Sequence, residues 1–254
     1  MSTIKLSEFV PFELEIDNKT GLICKANHIP LEFGTRKISD MSKVIYDRKW
    51  LEDLRGDFNL YYMYRDFTRE EDKELFRKYN IRFDITIIAP FKLGKELVKT
   101  AGHFHPEIKE GVSYPEVYEV MYGEGIYLLQ NETIKDDIIE IIIINGKKGD
   151  QILIPPGYGH ITINPSQSEL LVMNNLVSSK FSSIYGSIKE KKGAAYLLLE
   201  NNEWIKNPNY SQKLDISIKE PVKIDSKPFY LSFLENPDKW IFLNEPWAKK
   251  AWLK

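Results

Sequence analysis

The sequence predicts an all-β fold, a sandwich or barrel with a few peripheral helices. Three observations predict it. Between residues 80 and 205, apolar and β-branched runs of strand length follow one another, at 81–89, 116–122, 126–130, 138–144, 151–154, 160–163, 169–173 and 194–199. Clusters of turn formers, such as Asn145-Gly146 and Pro155-Pro156-Gly157, separate them. Many short strands punctuated this way are the pattern of antiparallel sheets folded over one core. Finally, 254 residues of which 43% are hydrophobic suffice for one domain with extensions, or at most two small domains.

The remaining segments are justified in chain order. Residues 12–16 alternate apolar and acidic side chains, 17–21 supply a turn, and 22–26 resume, which is a hairpin pattern. Ser39 or Asp40 is placed to cap a helix running through Val44, Ile45, Trp50 and Leu51. A second helix is expected over 68–79, with Thr68 as cap, acidic residues in its first turn and basic residues in its last. Residues 107–115 are polar and read as a loop. The last 45 or so residues are punctuated by Pro208, Pro221, Pro228, Pro237 and Pro246. They are rich in aromatics: Phe229, Tyr230, Trp240, Phe242, Trp247 and Trp252. The expected organisation is therefore a barrel with its N-terminal hairpin and helices over 1–210. An aromatic extension over 211–254 is expected to pack on the barrel or on a partner subunit.

Composition narrows the function classes. A formal net charge of −2 does not favour a nucleic-acid binder. No apolar run approaches the ~18 residues that span a bilayer. The single cysteine, Cys24, excludes an internal disulfide and a thiolate cluster, which fits the cytoplasm. Cys24 and His28 have no partner residues nearby in sequence.

Three of the four histidines carry a pattern. In Gly102-His103-Phe104-His105, alternation on an extended strand places the two imidazoles on one face, about 7 Å apart at Cα, with Phe104 opposite. A strand from Glu116 puts Glu116, Tyr118 and Val120 on a shared face. His160 follows a turn that enforces special backbone angles and shares a face with Thr162 and Asn164. Three imidazoles and one carboxylate suit Fe, Mn, Ni, Zn or Co and leave positions open for substrate. Glu107 and Glu110 are rival carboxylates.

These stretches resemble the paired motifs of the cupin superfamily. His103-x-His105 leads to Glu116 and, six residues on, to Gly123. Gly149, Pro155, Gly157, His160 and Asn164 fill the second motif, G-x5-P-x-G-x2-H-x3-N. Ten residues separate His105 from Glu116, where most cupins have three or four. Residues 37–41, 46–50, 92–96, 100–105 and 195–204 further resemble the archaeal cupin-type glucose-6-phosphate isomerases, with similarity from about Pro11 to about Asn209.

The resemblance implies a cupin β-barrel, that is, a jelly roll or double-stranded β-helix. It implies interconversion of glucose 6-phosphate and fructose 6-phosphate by a cytoplasmic homodimer that holds one divalent metal per subunit. Iron(II) is the expected ion, with Mn2+, Ni2+ or Zn2+ as alternatives. His103, His105, Glu116 and His160 become the metal ligands and Glu116 the catalytic group. Thr86, Thr100, Gly102, Tyr118 and Tyr185 become the substrate-binding set. No nucleic-acid or membrane partner is expected. Gly157, Val177 and Ser183 depart from the family's residues at positions that help hold substrate. The alternatives are a cupin acting on another sugar phosphate and an iron-dependent cupin dioxygenase. A sugar-binding regulatory module is disfavoured, because no helix-turn-helix or basic stretch supplies an output.

Overall fold

Alternation along each strand decides which side chains meet which core. The structure, a computed structural model, describes residues 2–109, 111–132, 138–211 and 214–248. Ten strands build its two main sheets. They are β1 (Gly34–Lys37), β2 (Asn59–Tyr64), β3 (Ile81–Ile88), β4 (Glu116–Tyr122), β5 (Glu124–Glu132), β6 (Ile138–Lys147), β7 (Gln151–Ile154), β8 (Tyr158–Ile163), β9 (Leu171–Ser178) and β10 (Ile216–Lys219). One sheet has the order β7-β4-β9-β3-β2-β1, the other β8-β5-β6-β10. Pairing is antiparallel except between β6 and β10.

The sheets face each other across one core. Tyr118 and Met173 on the six-stranded sheet meet Tyr127 on the other. The Tyr118 and Tyr127 rings are 5.7 Å apart, and the Tyr127 hydroxyl donates to Met173 Sδ at 3.4 Å. This is the two-layered barrel that the cupin resemblance implies. A second core lies on the outer face of the six-stranded sheet. There Phe83, Ile85, Ile87, Val117, Met121, Val172 and Leu176 are covered by Leu6, Phe9, Phe12, Leu14 and Ile16 from the N-terminus and by Phe229, Tyr230, Phe233, Trp240 and Phe242 from the C-terminal segment. The six-stranded sheet is thus buried on both faces. This explains why its strands read as near-continuous apolar runs.

Several elements depart from the sequence expectation. The hairpin near residue 20 forms, pairing Glu15–Asp17 with Ile23–Lys25, and Thr3–Lys5 adds a third strand. The helix expected through residues 40–51 is instead two, α1 (Ile38–Met41) and α2 (Arg48–Asp53). Asp47 accepts from the Trp50 amide at 3.1 Å and starts a new helix. The linker between them is held by Glu96, which accepts from the Tyr46 amide at 3.2 Å. Lys37 is the α1 cap position, and Asp40 reaches back to the Lys37 amide at 2.9 Å.

The helix expected over 68–79 begins as a 3-10 turn, Glu70–Asp72, and continues as α3 (Lys73–Tyr79). Asn80 then ends it in the left-handed region at φ 50°. The predicted loop over 107–115 contains a small hairpin, Glu107–Lys109 with Val112–Ser113. Asn145-Gly146 is not a turn. It lies within β6, paired with Ile126 and Gly125 of β5. Strands β1 and β2 lie outside every predicted run. Trp252 lies outside the described residues. No described helix is long and apolar enough to cross a membrane.

Candidate metal centre and substrate pocket

Neighbouring backbone bridges fix the His103 segment. The His103 amide donates to the His160 carbonyl at 3.3 Å and the His160 amide to the His103 carbonyl at 3.0 Å. Phe104 and Ile184 exchange a similar pair at 2.9 and 2.8 Å. The segment is therefore extended between β8 and the 179–185 loop, held by isolated bridges rather than by a regular strand. Two glycines make the close approach possible. A Cβ on Gly159 would sit 2.4 Å from the Phe104 ring. One on Gly102, at φ +75°, would sit 2.5 Å from the Ile161 side chain.

Strands β4 and β8 bring Glu116 and His160 to the same place. His103, His105, Glu116 and His160 each offer one donor atom, and these atoms all lie within 4.8 Å of one another. His105 Nε2 is 3.3 Å from His103 Nε2 and 3.3 Å from Glu116 Oε2, and His160 Nε2 is also 3.3 Å from Oε2. His105 and Glu116 each use their other polar atom outward. The His105 Nδ1 lies 2.8 Å from the Tyr114 carbonyl, so it carries the proton and leaves Nε2 as a lone pair. Glu116 Oε1 accepts from Asn175 Nδ2 at 2.8 Å. The Tyr118 hydroxyl lies 3.2 Å from His160 Nε2.

Electrostatics shows what such a cluster requires. Burial holds His103 well below the usual histidine range, assisted by repulsion from His160 and His105. Burial lowers His160 too, against the pull of Glu116. Burial alone would raise the Glu116 carboxyl, and it is positive charge at the His105 and His160 rings beside it that holds it well below the usual carboxylate range, a charge that a bound cation would supply with those rings neutral. Burial, with the Glu116 charge second, holds the Tyr118 hydroxyl well above the usual tyrosine range. Glu116 Oε2 is buried and accepts no hydrogen bond among the described residues. An anionic oxygen facing neutral imidazole lone pairs is stabilised by a cation between them. Donors at about 2.0–2.2 Å from a divalent ion would stand about 3–3.5 Å from their neighbours, which matches the 3.3 Å separations. The donor set fits a catalytic divalent metal.

The cluster forms one wall of a cavity of about 350 Å³. Thr86, Thr100, Gly102, Tyr118 and Tyr185 all line it, as do Val177 and Ser183. Gly157 does not line it. Its amide donates to Ser113 Oγ at 2.8 Å and ties the β7–β8 turn to the small hairpin. Glu107 is exposed and accepts from the Gly111 amide at 3.2 Å, away from the cluster. Glu110 lies outside the described residues. Cys24 is exposed, and His28 lies in a turn at φ 65°.

The cavity also contains groups that the motifs do not flag. Asn175 orients Glu116, and Tyr61 accepts the Ala101 amide at 3.2 Å. The Phe181 ring packs 4.5 Å from the His105 ring and stacks on Tyr114. Arg65, Arg82 and Asp84 line one side. Asn175, Arg82 and Asp84 were readable only through strand parity. On β3, residues 82, 84 and 86 share the face that looks into the barrel, and on β9 residues 173, 175 and 177 do.

The sequence model of the glucose-6-phosphate isomerase family matches residues 35–215. The glucose-6-phosphate isomerase of Thermococcus gammatolerans is 30% identical over 203 residues, covering 79% of this chain and 97% of that protein. The Pyrococcus furiosus glucose-6-phosphate isomerase is 30% identical over 207 residues, covering 80% and 98%. Among solved structures, a cupin 2 conserved barrel domain protein from Rhodopseudomonas palustris is 14% identical. Its alignment covers 48% of this chain and 63% of that one, with a TM-score of 0.31. With the family match spanning well over half of the chain, this protein belongs to the glucose-6-phosphate isomerase family.

Proposed function

We propose that the chain interconverts glucose 6-phosphate and fructose 6-phosphate at one divalent metal held by His103, His105, Glu116 and His160. The observation that carries this reading is Glu116 Oε2, buried without a hydrogen bond among imidazole nitrogens, in the cavity of a glucose-6-phosphate isomerase family member. Iron(II) is the ion we expect, and Mn2+, Ni2+ and Zn2+ suit the same donors. A bound ion would supply Lewis-acid polarisation of the carbonyl that moves between C1 and C2.

The chain's own residues do the rest. Isomerisation moves a hydrogen between C1 and C2; in the proton-transfer route a proton leaves one carbon and returns to its neighbour, whereas a metal-assisted hydride shift would leave Glu116 a ligand only. Glu116 is the carboxylate placed for the first of these. Its Oε2 belongs to the imidazole cluster, so the proton passes through Oε1, whose position Asn175 sets. The Tyr118 hydroxyl keeps its proton at neutral pH and donates to an oxygen of the substrate. Thr86, Thr100 and the Gly102 amide hold the phosphate, and Tyr185 closes the cavity beside the His103 ring, 5.5 Å away. Thr100 Oγ1 accepts from the Thr162 amide at 3.0 Å, which fixes that hydroxyl and leaves its proton for the ligand.

A second reading is favoured by Val177 and Ser183, which line the cavity where the resemblance leads one to expect a tyrosine and a histidine. It keeps the reaction and changes the sugar phosphate. We also read the protein as a cytoplasmic homodimer, on the lone cysteine and the family resemblance. Sedimentation of the purified protein tests the dimer.

One experiment tests the main reading. Purified protein is analysed for metal and assayed for glucose 6-phosphate formation from fructose 6-phosphate by a coupled reaction. Turnover is expected, abolished by a chelator, restored by added metal, and lost in His160→Ala. Turnover of a different hexose or pentose phosphate supports the second reading. With metal restored, no turnover of any of these substrates overturns both.

A further inference from the structure

The inward face of β3 carries Arg82, Asp84 and Thr86 in successive inward positions, and Arg65 follows the end of β2. Asp84 is 3% exposed and holds this group together. It accepts from Arg82 Nε at 2.8 Å with both oxygens, from Arg65 Nη1 at 3.4 Å, and from the Asp66 amide at 2.8 Å. One carboxylate thus sits between two guanidiniums, and among the described residues no other carboxylate is paired directly with either. Arg82 commits only Nε to Asp84. Its two terminal nitrogens make no hydrogen bond among the described residues, although the side chain is only 24% exposed. A partly desolvated guanidinium with a free fork suits a phosphate, which it binds by paired, charge-assisted hydrogen bonds.

The strand register sets the distance. Val177 on β9 pairs with Arg82 on one side and with Glu116 on the other. Arg82 therefore stands two strand spacings from Glu116, roughly 10 Å at Cα, across the cavity wall. That spacing separates chemistry at one end of a six-carbon chain from an anion at the other.

We propose that Arg82, with Arg65 beside it and Asp84 as the positioning residue, grips the phosphate of the substrate. The pair thereby selects phosphorylated sugars over neutral ones. This rests on the sugar-phosphate reading above and assigns the charge recognition within it to two residues outside the threonine and glycine set.

The test compares the wild type with Arg65→Met, Arg82→Lys, and the double variant Arg82→Met with Asp84→Asn. The double variant leaves no unpaired buried charge. Readouts are KM for fructose 6-phosphate, inhibition by inorganic phosphate, turnover of unphosphorylated fructose, metal content, and calorimetric binding of fructose 6-phosphate. In the double variant, KM for fructose 6-phosphate should rise roughly 10- to 100-fold, the loss expected for a charged hydrogen-bonding pair. Phosphate inhibition should weaken in parallel, with metal content unchanged and the preference for fructose 6-phosphate over fructose reduced. Arg82→Lys should lie between, because it keeps the charge and loses the fork. Arg65→Met, on a half-exposed side chain, repeats the test should the double variant misfold, and should show a smaller rise.

An unchanged KM, or an equal loss for fructose and its phosphate, overturns the proposal. If the wild type turns over no fructose 6-phosphate, the isomerase reading fails, but calorimetry still decides the inference. Binding that the variants lose upholds the arginine grip. Absent binding, or binding that they keep, overturns it.

Discussion

At the scale of single residues, the two roles proposed for Glu116 fall to different oxygens. Oε2 lies among imidazoles and Oε1 lies on Asn175. Glu116→Gln preserves the size of the side chain and an oxygen for the cluster, and removes the base. If Glu116 shuttles the proton, isomerisation at saturating metal should fall by about 10²- to 10⁴-fold while metal analysis still finds the ion. If Glu116 is a ligand only, as in a metal-assisted hydride shift, excess metal should bring the rate back to within a few-fold of wild type. The residues at stake here were legible because histidine is scarce in this chain and because the two motifs set their spacing. Asn175, Arg82 and Asp84 were not. Each is ordinary by type and gains meaning only from the strand face it occupies. Glycines were legible as turn formers, yet Gly102 and Gly159 matter because Ile161 and Phe104 press against their α-carbons, a contact between segments distant in sequence.

At the scale of elements, β4 and β9 show why some boundaries escape sequence reading. The apolar run ending at Met173 suggests a strand that stops before Asn174-Asn175, but β9 continues to Ser178. Both asparagines have buried carboxylate partners supplied by β4: Asn175 meets Glu116 on the inner face and Asn174 meets Glu119 on the outer. Glu119 is 2% exposed. It accepts from Asn174 Nδ2 at 2.9 Å, from the Phe229 amide at 3.2 Å and from Gln151 Nε2 at 3.5 Å, and so joins β4 to α4 (Phe229–Glu235). Asp150, Lys223, Asp225 and Lys227 line the cleft beside it. Burial pushes the Glu119 carboxyl up to about 7, with Asp225 adding to the rise and the three hydrogen bonds opposing it. Its ordinary value is 4.5, so between about 4.5 and 7 the folded protein binds more protons than the unfolded one. This contribution to stability is therefore complete below pH 4.5, falls as pH rises through 7, and is level above. Glu119→Gln can keep the two stronger hydrogen bonds with its carbonyl oxygen. It should flatten this part of the stability–pH curve and match or exceed wild type above pH 7 by roughly 1–3 kcal/mol, since each pKa unit is about 1.4 kcal/mol. Denaturant melts at pH 5 and pH 8 check this. The same slope in both proteins would remove Glu119 as its source.

At the scale of the whole molecule, the six-stranded sheet serves two cores with alternate residues of the same strands. Its inner face carries Thr86, Glu116, Tyr118 and Asn175, and its outer face carries Phe83, Ile85, Val117 and Leu176. The family match ends at residue 215, yet much of the outer cover comes after it. Phe229, Tyr230, Phe233 and Trp240 are fully buried there. Tyr230 donates to Asp72 at 2.7 Å and Tyr79 donates to Asp238 at 2.7 Å, which fastens this segment to the 70–79 helical stretch. Each large apolar side chain buried this way contributes about 1.5–3 kcal/mol. Ending the chain after residue 215 should therefore uncover a contiguous apolar patch on the back of the strands that hold the site. The truncated protein is expected to bind a hydrophobic dye, to self-associate, and to melt lower by on the order of 10 °C or more. Any loss of metal should track the loss of fold, because residues 216–248 supply no side chain to the cavity. A truncated chain that melts with the wild type and keeps the wild-type oligomeric state would show that the N-terminal hairpin and α3 cover the outer face unaided. A chain that melts normally but loses its metal would show instead that the segment acts through the strands on the site itself.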